Sequence, residues 1–434
     1  MNNETKTSRA AASTARAKAL LKKRYAAEKR FRFFCISAVV FGLAALVLLF
    51  TDIVSKGYTA FLQTKIRLAV HFDPQVIAPD GNLDEDALSQ ADYGALVKEA
   101  IRSRFPEAEG RKARRELQEL VSDGASYELR DKVLADPSLL GKTETFWLDS
   151  SDVVDVYMKG RISEALPEEE RPLSNQQIAW IKALSAKGEL AKRFNTGFFT
   201  NGDSREPELA GIRGAVMGSL YTMLITILLA LPLGVATAVY LEEFAPRNRW
   251  TDLIEVNINN LAAVPSIVFG LLGLAVLLNF FELPRSTPLV GGIVLALMTL
   301  PRIIIPARAA LTAVPPSIRE AAYGLGATPL QAISHHVLPL AIPGILTGTI
   351  IGMAQALGET APLLMIGMVA FIVDVPASPV DPAAALPVQI FLWADSPERA
   401  FVERTSAAII VLLGFLITMN AVAVWLRYKT TRRW

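Results

Sequence analysis

Three charged side chains lie within or beside the longest apolar stretches of this 434-residue chain. Glu359 interrupts the stretch 337–373, and Arg302 and Arg308 lie in or just below the preceding one. An ionisable group at membrane depth costs roughly 2.5–3.5 kcal/mol on insertion scales, so it usually faces the interior of a helix bundle. A guanidinium group pairs with a carboxylate or binds an oxyanion through two parallel hydrogen bonds. We therefore predict that Glu359, Arg302 and Arg308 line a polar pathway.

The roles of the two arginines stay open at this point. Either is a candidate partner of Glu359. Arg302 could instead bind an anion or extend to the lipid headgroups, and Arg308 could lie at the inner membrane surface. Because a glutamate repels an anion, we expect Glu359 to hold an arginine in place or to act as a gate through which the anion passes without binding tightly.

Two other patterns resemble nucleotide or metal sites but lack essential parts. DPSLLGKT, at residues 136–143, ends like a phosphate-binding loop, but Asp136 replaces its first glycine. We expect a turn before a strand there. His335 and His336 are adjacent, so on a helix they point about 100° apart, and no third ligand is evident. We predict no catalytic site, no metal site and no cofactor in this chain.

The composition indicates a membrane protein with a soluble part. Hydrophobic residues make up 52% of the chain, and its mean hydropathy is +0.34. The net charge of +2 gives no reason to expect a nucleic-acid partner. The single cysteine, Cys35, excludes a disulfide within the chain.

Six apolar stretches are long enough to cross a membrane as helices, each needing roughly 20 residues. They are 33–50, 214–241, 256–281, 286–301 with its continuation past Arg302, 337–373 and 405–426. We interpret the first as an uncleaved anchor, because its basic region is long and no cleavage site follows.

Basic residues set the predicted orientation. Residues 1–32 hold ten Lys and Arg against two Glu, and the C-terminal RYKTTRRW is also basic. Six spans put both ends on one side, so we predict that both termini are cytoplasmic. The segment between the fourth and fifth spans is then cytoplasmic, and the insert 53–205 lies outside.

That cytoplasmic segment, REAAYGLGATPLQAISHHVLPLAIPG, has an unusual pattern of small residues. Ala321 and Ala322 follow Glu320, and Gly326 comes four residues later. Small residues let a helix pack closely against another surface, and a glycine can end the helix and turn the chain. We predict a helical hairpin in which a second short helix, PLQAISHHVL, leads to Pro339 at the foot of the next span.

This spacing resembles the coupling signature of bacterial ABC importer permeases, over about residues 206–434. REAAYGLGAT together with GETAPLLMIG resembles the A-type permease subunit of the phosphate-specific transport (Pst) system, in an extended N-terminal form. Two features depart from the family pattern: His336 stands where isoleucine is usual, and the insert 53–205 replaces a short connection.

The resemblance implies a type I ABC importer permease fold: an all-α polytopic inner-membrane protein with an inserted extracytoplasmic α+β domain. It implies that Glu320, Ala321, Ala322 and Gly326 form the socket for an ATPase, within a coupling loop at about 307–337. It also implies partners: a second permease of the C type, two ATPase subunits that bind ATP, and a phosphate-binding protein. The expected cargo is inorganic phosphate.

The domain prediction has four parts: a basic tail (1–32), a first transmembrane helix (33–52), the α+β insert (53–205) and the permease core (206–434). In the insert, TKIRLAVHF alternates as a half-buried strand does. Helical spacing covers 86–105 and the segment from Ser174, where Gln177 completes a capping box. TFWLDSSDVVDVYMKG is expected to hold one or two more strands. Because the core family lacks the insert, we expect transport to survive its deletion.

Two alternative functions remain. One is a permease of the same class for another oxyanion or solute. The other is a membrane-anchored sensor whose external domain is the working part, which the hairpin argues against because a sensor needs no ATPase socket.

Overall fold

The computed structural model describes residues 4–369 and 371–430. The chain divides into two compact units at Ser55 and Lys56. The first unit consists of helix α1 (Glu4–Gly57) up to that point. This helix runs without a break through the basic segment and the first apolar stretch, and it is apolar enough to cross a membrane.

The second unit contains a three-stranded antiparallel sheet made from the insert. Its strands are β1 (Leu62–His71), β2 (Thr143–Asp149) and β3 (Leu190–Phe194), in the order β2-β1-β3. The predicted alternation along β1 is confirmed, because Ile66, Leu68, Val70 and Phe72 are all at most 1% exposed.

Helices cover one face of this sheet and complete the inserted domain, and their apolar side chains share one core with the strands. They are α2 (Pro74–Ile77), α3 (Glu85–Ser89), α4 (Tyr93–Arg104), α5 (Arg111–Gln118), α6 (Gly124–Ala135), α7 (Asp152–Met158) and α8 (Asn175–Ala186). Helix α9 (Thr196–Thr200) lies outside this core, because its Phe198 belongs to a separate cluster with Trp393 and Phe401.

Local side-chain hydrogen bonds explain where these elements begin. The predicted capping box is confirmed, since Ser174 and Gln177 bond reciprocally at the start of α8. The expected turn before β2 is also confirmed: Asp136 accepts a hydrogen bond from the Ser138 N–H, and a 3₁₀ turn follows.

Two expectations for the insert were wrong in detail. The helical pattern at 86–105 is two helices, because Asp92 accepts a hydrogen bond from the Ala95 N–H and starts α4 afresh. Of the one or two strands expected in TFWLDSSDVVDVYMKG, the structure has one, β2, and helix α7 follows it. The end of the predicted helical segment at 190–194 is strand β3, which pairs with β1.

The rest of the second unit is helical. Its helices are α10 (Arg213–Val239), α11 (Arg249–Ala262), α12 (Ser266–Leu272), α13 (Pro288–Thr312), α14 (Pro316–Gly324), α15 (Pro329–Ala332), α16 (Leu338–Gly358), α17 (Ala361–Met365), α18 (Leu386–Ala394) and α19 (Ala400–Thr430). Over the described chain, five helices could cross a membrane, and the bent pair α11–α12 makes a sixth candidate.

The third and fifth predicted spans differ from straight helices. The third is broken into α11 and α12, which meet at 105°. Pro265 precedes α12, and a proline disfavours helical backbone in the residue before it. The fifth ends at Gly358, so Glu359 lies in extended backbone at the helix end and not in mid-helix.

Glycines bring α13 and α16 into close contact. A Cβ added at Gly348 would lie 2.5 Å from the Cβ of Pro306, and one added at Gly344 would lie 2.6 Å from the Cβ of Ala310. The glycines of α16 therefore let its backbone approach α13 closely. Close backbone approach of this kind stabilises helix pairs in membranes, where the hydrophobic effect does not drive association.

Buried charges join the inserted domain to α19. The Lys159 Nζ donates to Asp155 Oδ2 and to Glu403 Oε1, each at 2.6 Å, and the Lys159 side chain is 3% exposed. The next residue, Arg404, donates to Gln63 Oε1 on β1 at 2.8 Å. We name this group the α19 junction: Lys159, Asp155, Glu403, Arg404 and Gln63.

The α19 junction changes the expectation for a deletion of the insert. Such a deletion would remove Lys159 and Gln63 and leave Glu403 and Arg404 without these partners. We now expect the deleted protein to be destabilised, even if the remaining spans enter the membrane.

Gly348→Ala tests the contact between α13 and α16. The new methyl group would overpack the contact, and we expect the free energy of unfolding to fall by about 1–3 kcal/mol. Gly414→Ala is the control, because no atom lies within 4 Å of its added Cβ. Thermal unfolding in detergent compares the two, and equal melting temperatures would contradict the close contact.

Lys159→Met tests the α19 junction. It leaves two buried carboxylates without their shared cation, and we expect a loss of ~3–5 kcal/mol in unfolding free energy. The control is Lys182→Met, since Lys182 pairs with Glu164 on the exposed surface. If both variants unfold in detergent at the wild-type denaturant concentration, the junction does not stabilise the fold.

Candidate functional site

The predicted EAA segment forms a compact helical turn, which we name the EAA hairpin (residues 316–337). Its first arm is α14, and a Schellman motif ends that helix: the Gly326 N–H bonds to the Tyr323 carbonyl and the Ala327 N–H to the Ala322 carbonyl. Gly326 has φ +84, which glycine adopts without strain.

The predicted socket residues divide between the surface and the interior of the hairpin. Glu320, Ala321 and Gly326 are exposed, whereas Ala322 is 5% exposed and packs inside. The tip also presents two apolar side chains that the sequence prediction missed, Leu325 and Leu330, which are 91% and 66% exposed. Such exposure on a short rigid turn is typical of a contact surface.

Arg319 fastens the first arm to the ends of two spans. Its Nη2 lies 2.5 Å from Glu243 Oε1, at the end of α10, and donates to the Leu311 carbonyl at 3.1 Å. Its Nη1 donates to the Val314 carbonyl at 2.8 Å. The hydrogen bond to Glu243 raises the pKa of Arg319, so the clamp stays charged. Sequence reasoning missed it because Glu243 is 76 residues away.

The second arm continues directly into a span. Thr328 and Gln331 form a capping box at the start of α15. The chain then passes through a π-helical turn (Ile333–Val337) into α16. The predicted second helical arm, which leads to Pro339 at the foot of the next span, is therefore present, and it continues into that span without a break. A movement of the hairpin tip would reach α16 without an intervening loop.

Arg308 does not pair with Glu359. Its Nη2 donates to Glu255 Oε1 at 2.7 Å, and its Nε lies 3.4 Å from Glu242 Oε2. The guanidinium group thus joins α13 to α11 and to the end of α10. Its position among these helix ends indicates that Arg308 fastens them together near the hairpin. The candidate pairing of Arg308 with Glu359 is therefore not formed.

Arg302 lies beside the middle of α16 and Glu359 at the C-terminal end of that helix, and the two do not touch. A Cβ added at Gly352 would lie 3.6 Å from the Arg302 Cβ, which places the arginine beside the middle of α16. Glu359 is seven residues further along, about 10 Å at 1.5 Å per residue. Within residues 4–369 and 371–430, no ion pair joins the two. The half-buried Arg302 has a buried Nη1 with no hydrogen-bond partner among these residues.

Comparisons with known proteins match these features to a family. Residues 230–433 match the binding-protein-dependent transport system inner membrane component, and residues 18–168 match a domain of unknown function, DUF3333. The probable ABC transporter permease protein YqgH of Bacillus subtilis (strain 168) is 31% identical over 266 residues, covering 59% of this chain and 83% of that protein. This chain belongs to the family of ABC transporter permeases.

Further relatives of the permease carry more specific names. The phosphate transport system permease protein PstA 1 of Mycobacterium tuberculosis (strain ATCC 25618 / H37Rv) is 32% identical over 259 residues, 59% of this chain and 82% of that protein. A solved inward-facing MetNI methionine ABC transporter is 17% identical with a TM-score of 0.41, covering 50% of this chain and 97% of that one. The predicted resemblance to Pst permeases is confirmed, as is the all-α polytopic fold with an inserted α+β domain. The permease is a multi-pass inner-membrane protein.

Arg319→Gln tests whether the clamp holds the hairpin. The change removes the charged bond to Glu243 and its helix-end contacts, so we expect faster amide hydrogen exchange in residues 316–327. Arg247→Gln is the control, an exposed arginine near the same end of α10. Unchanged exchange in Arg319→Gln would show that the arm is held by apolar packing alone.

Proposed function

We propose that this permease forms half of the translocation pathway of an ATP-driven importer of inorganic phosphate. In this proposal, a separate ATPase docks on the EAA hairpin. The observation that carries the proposal is the exposed apolar tip of the hairpin, which is fastened to the spans by Arg319 and continuous with α16.

The hairpin has the geometry that mechanical coupling requires. Leu325 and Leu330 offer an apolar contact to a partner, and Glu320 adds a charge beside it. A partner that displaces this tip moves α16 as one body, because no flexible loop lies between them. Since α16 packs against α13 through glycines, the displacement reaches the region of Arg302.

The same geometry supports a pathway for an oxyanion. A guanidinium group binds phosphate through two parallel hydrogen bonds, and Arg302 keeps a donor free of partners among the described residues. Glu359, about two helical turns away, would weaken anion binding and so favour release. The names of the Pst relatives support phosphate as the anion.

A second permease chain, of the C type, is expected beside α11 and α12. Helix α11 has no buried residue, and Trp250, Leu253 and Val256 are each more than half exposed. The further proposed partners are two ATPase subunits, which bind ATP, and a phosphate-binding protein; lipid surrounds the spans. This chain itself is proposed to hold no cofactor and no metal. Both termini are proposed to be cytoplasmic, on the side of the hairpin.

Leu325→Asp tests the coupling proposal. Because Leu325 is 91% exposed, the change leaves the fold intact but places a charge in the proposed contact. We expect phosphate-stimulated ATP hydrolysis by the reconstituted complex to be lost. Leu83→Asp, at an exposed site in the inserted domain, should hydrolyse ATP normally. Normal coupling in Leu325→Asp would refute docking at the tip.

Arg302→Gln and Arg302→Lys test the pathway. A hydrogen bond to a charged group contributes about 1.5–3 kcal/mol, so we expect Arg302→Gln to lower phosphate uptake by about 10- to 100-fold. Arg302→Lys should restore part of it, since it keeps the charge but not the fork. Uptake is measured in proteoliposomes with sulfate as competitor. Normal uptake in Arg302→Gln would place this arginine off the path, and equal competition by sulfate would favour a general oxyanion permease.

A further inference from the structure

Three phenylalanine rings form a parallel stack beside the point where the chain enters β1. The centroids of Phe61 and Phe199 are 5.7 Å apart, and those of Phe194 and Phe199 are 5.9 Å apart. The ring planes deviate by only 11° and 8°. We name these three residues the aromatic ladder. Phe194 and Phe199 are 60% and 41% exposed, so these two rings lie at the surface, whereas Phe61 packs against buried apolar residues.

Buried contacts of Phe198 and Asn195 hold the ladder in place. Phe198 is fully buried, and its ring meets Phe199 edge-on at 5.1 Å. The Asn195 side chain accepts a hydrogen bond from the Phe198 N–H and donates to the Ala60 carbonyl. Asn195 therefore ties the residue before Phe61 to the helix that carries Phe199. These contacts fix the positions of the rings relative to one another.

The position of the ladder along the membrane normal follows from the contact of Gly57 with α19. A Cβ added at Gly57 would lie 2.8 Å from the backbone carbon of Ser406. Ser406 is where α19 passes from the charged pair Glu403–Arg404 to an uncharged stretch that reaches Leu426. Phe61 is four residues beyond Gly57. The headgroup region adds about 5–7 Å on each side of the hydrocarbon core. If the uncharged stretch of α19 crosses the hydrocarbon core, this distance puts the ladder at headgroup level.

Charge and composition at this level fit a lipid surface. Aromatic rings are enriched at membrane interfaces, and Tyr58, next to the ladder in sequence, is 56% exposed. Lys192 is exposed two residues before Phe194 on the same strand, where its ammonium group can reach lipid phosphates.

We propose that the aromatic ladder inserts into the lipid headgroup layer on the side of the inserted domain and seats this domain on the membrane. With the α19 junction, the ladder gives the domain a second point of attachment. The proposal requires only that the spans cross a membrane, and it does not depend on phosphate transport. A protein partner covering the ladder is the competing outcome.

Nitroxide accessibility in the full-length protein tests the proposal. In a Cys35→Ser background, Thr200→Cys places a label beside Phe199, and Glu144→Cys places a control label on exposed β2. The protein is reconstituted in nanodiscs of phosphatidylethanolamine and phosphatidylglycerol. We expect the label at position 200 to collide more often with oxygen than with a water-soluble nickel chelate, and the label at 144 to show the reverse.

The contrary results are distinct. Equal nickel accessibility at both positions would place the ladder in water, and shielding of position 200 from both reagents would show a protein contact instead; either overturns the proposal. A second variant tests whether the rings themselves, and not only the location of the backbone, keep the nickel chelate away from position 200. Phe194→Ser with Phe199→Ser, added to the Thr200→Cys protein, should raise nickel collisions several-fold. No change in that variant would also contradict a role of the rings.

Discussion

The close contact between α13 and α16 is the constraint on which the proposed site depends. Glycines at positions 344, 348 and 352 remove the side chains that would keep the two helices apart. This approach sets Arg302 beside the middle of α16, and the EAA hairpin is the direct continuation of the same helix. The packing of α13 against α16 therefore positions both the proposed anion-binding group and the proposed coupling surface.

The charged side chains around that contact differ in whether they have a partner of opposite charge. Arg308 and Arg319 bind glutamates from α11 or from the π-helical turn that follows α10 (Tyr240–Phe244), which fastens the helix ends near the hairpin. Lys159 binds two carboxylates and fixes the inserted domain to α19. Arg302 differs, because its buried Nη1 has no partner in the described part of the chain. An arginine with an unpaired donor inside a helix bundle is suited to bind an anion reversibly.

Sequence reasoning succeeded where the signal is local. Helix spans, the capping box at Ser174 and the alternation in β1 depend on neighbouring residues, and each was predicted. It failed where distant residues decide the outcome: β3 is a strand because β1 lies beside it, and Arg308 pairs with Glu255 through the folding of α11 against α13. The apolar run around Glu359 was predicted as one span, although Gly358 and Pro362 are local signals of the observed helix end. In the hairpin, Gly326 was predicted because a helix commonly ends at a glycine, and the capping box of Thr328 and Gln331 is a local pattern of the same kind.

Photocross-linking from position 325 tests the central claim most directly. In a Cys35→Ser background, Leu325→Cys carries a short photoreactive label, and the permease is reconstituted with its second permease and its ATPase. The account predicts an adduct with the ATPase subunit whose yield changes when ATP binds, and no such adduct from a label at Glu144→Cys in the inserted domain. If the complex hydrolyses ATP but the label at 325 reacts only with lipid or solvent, the EAA hairpin is not the docking surface and the account is contradicted.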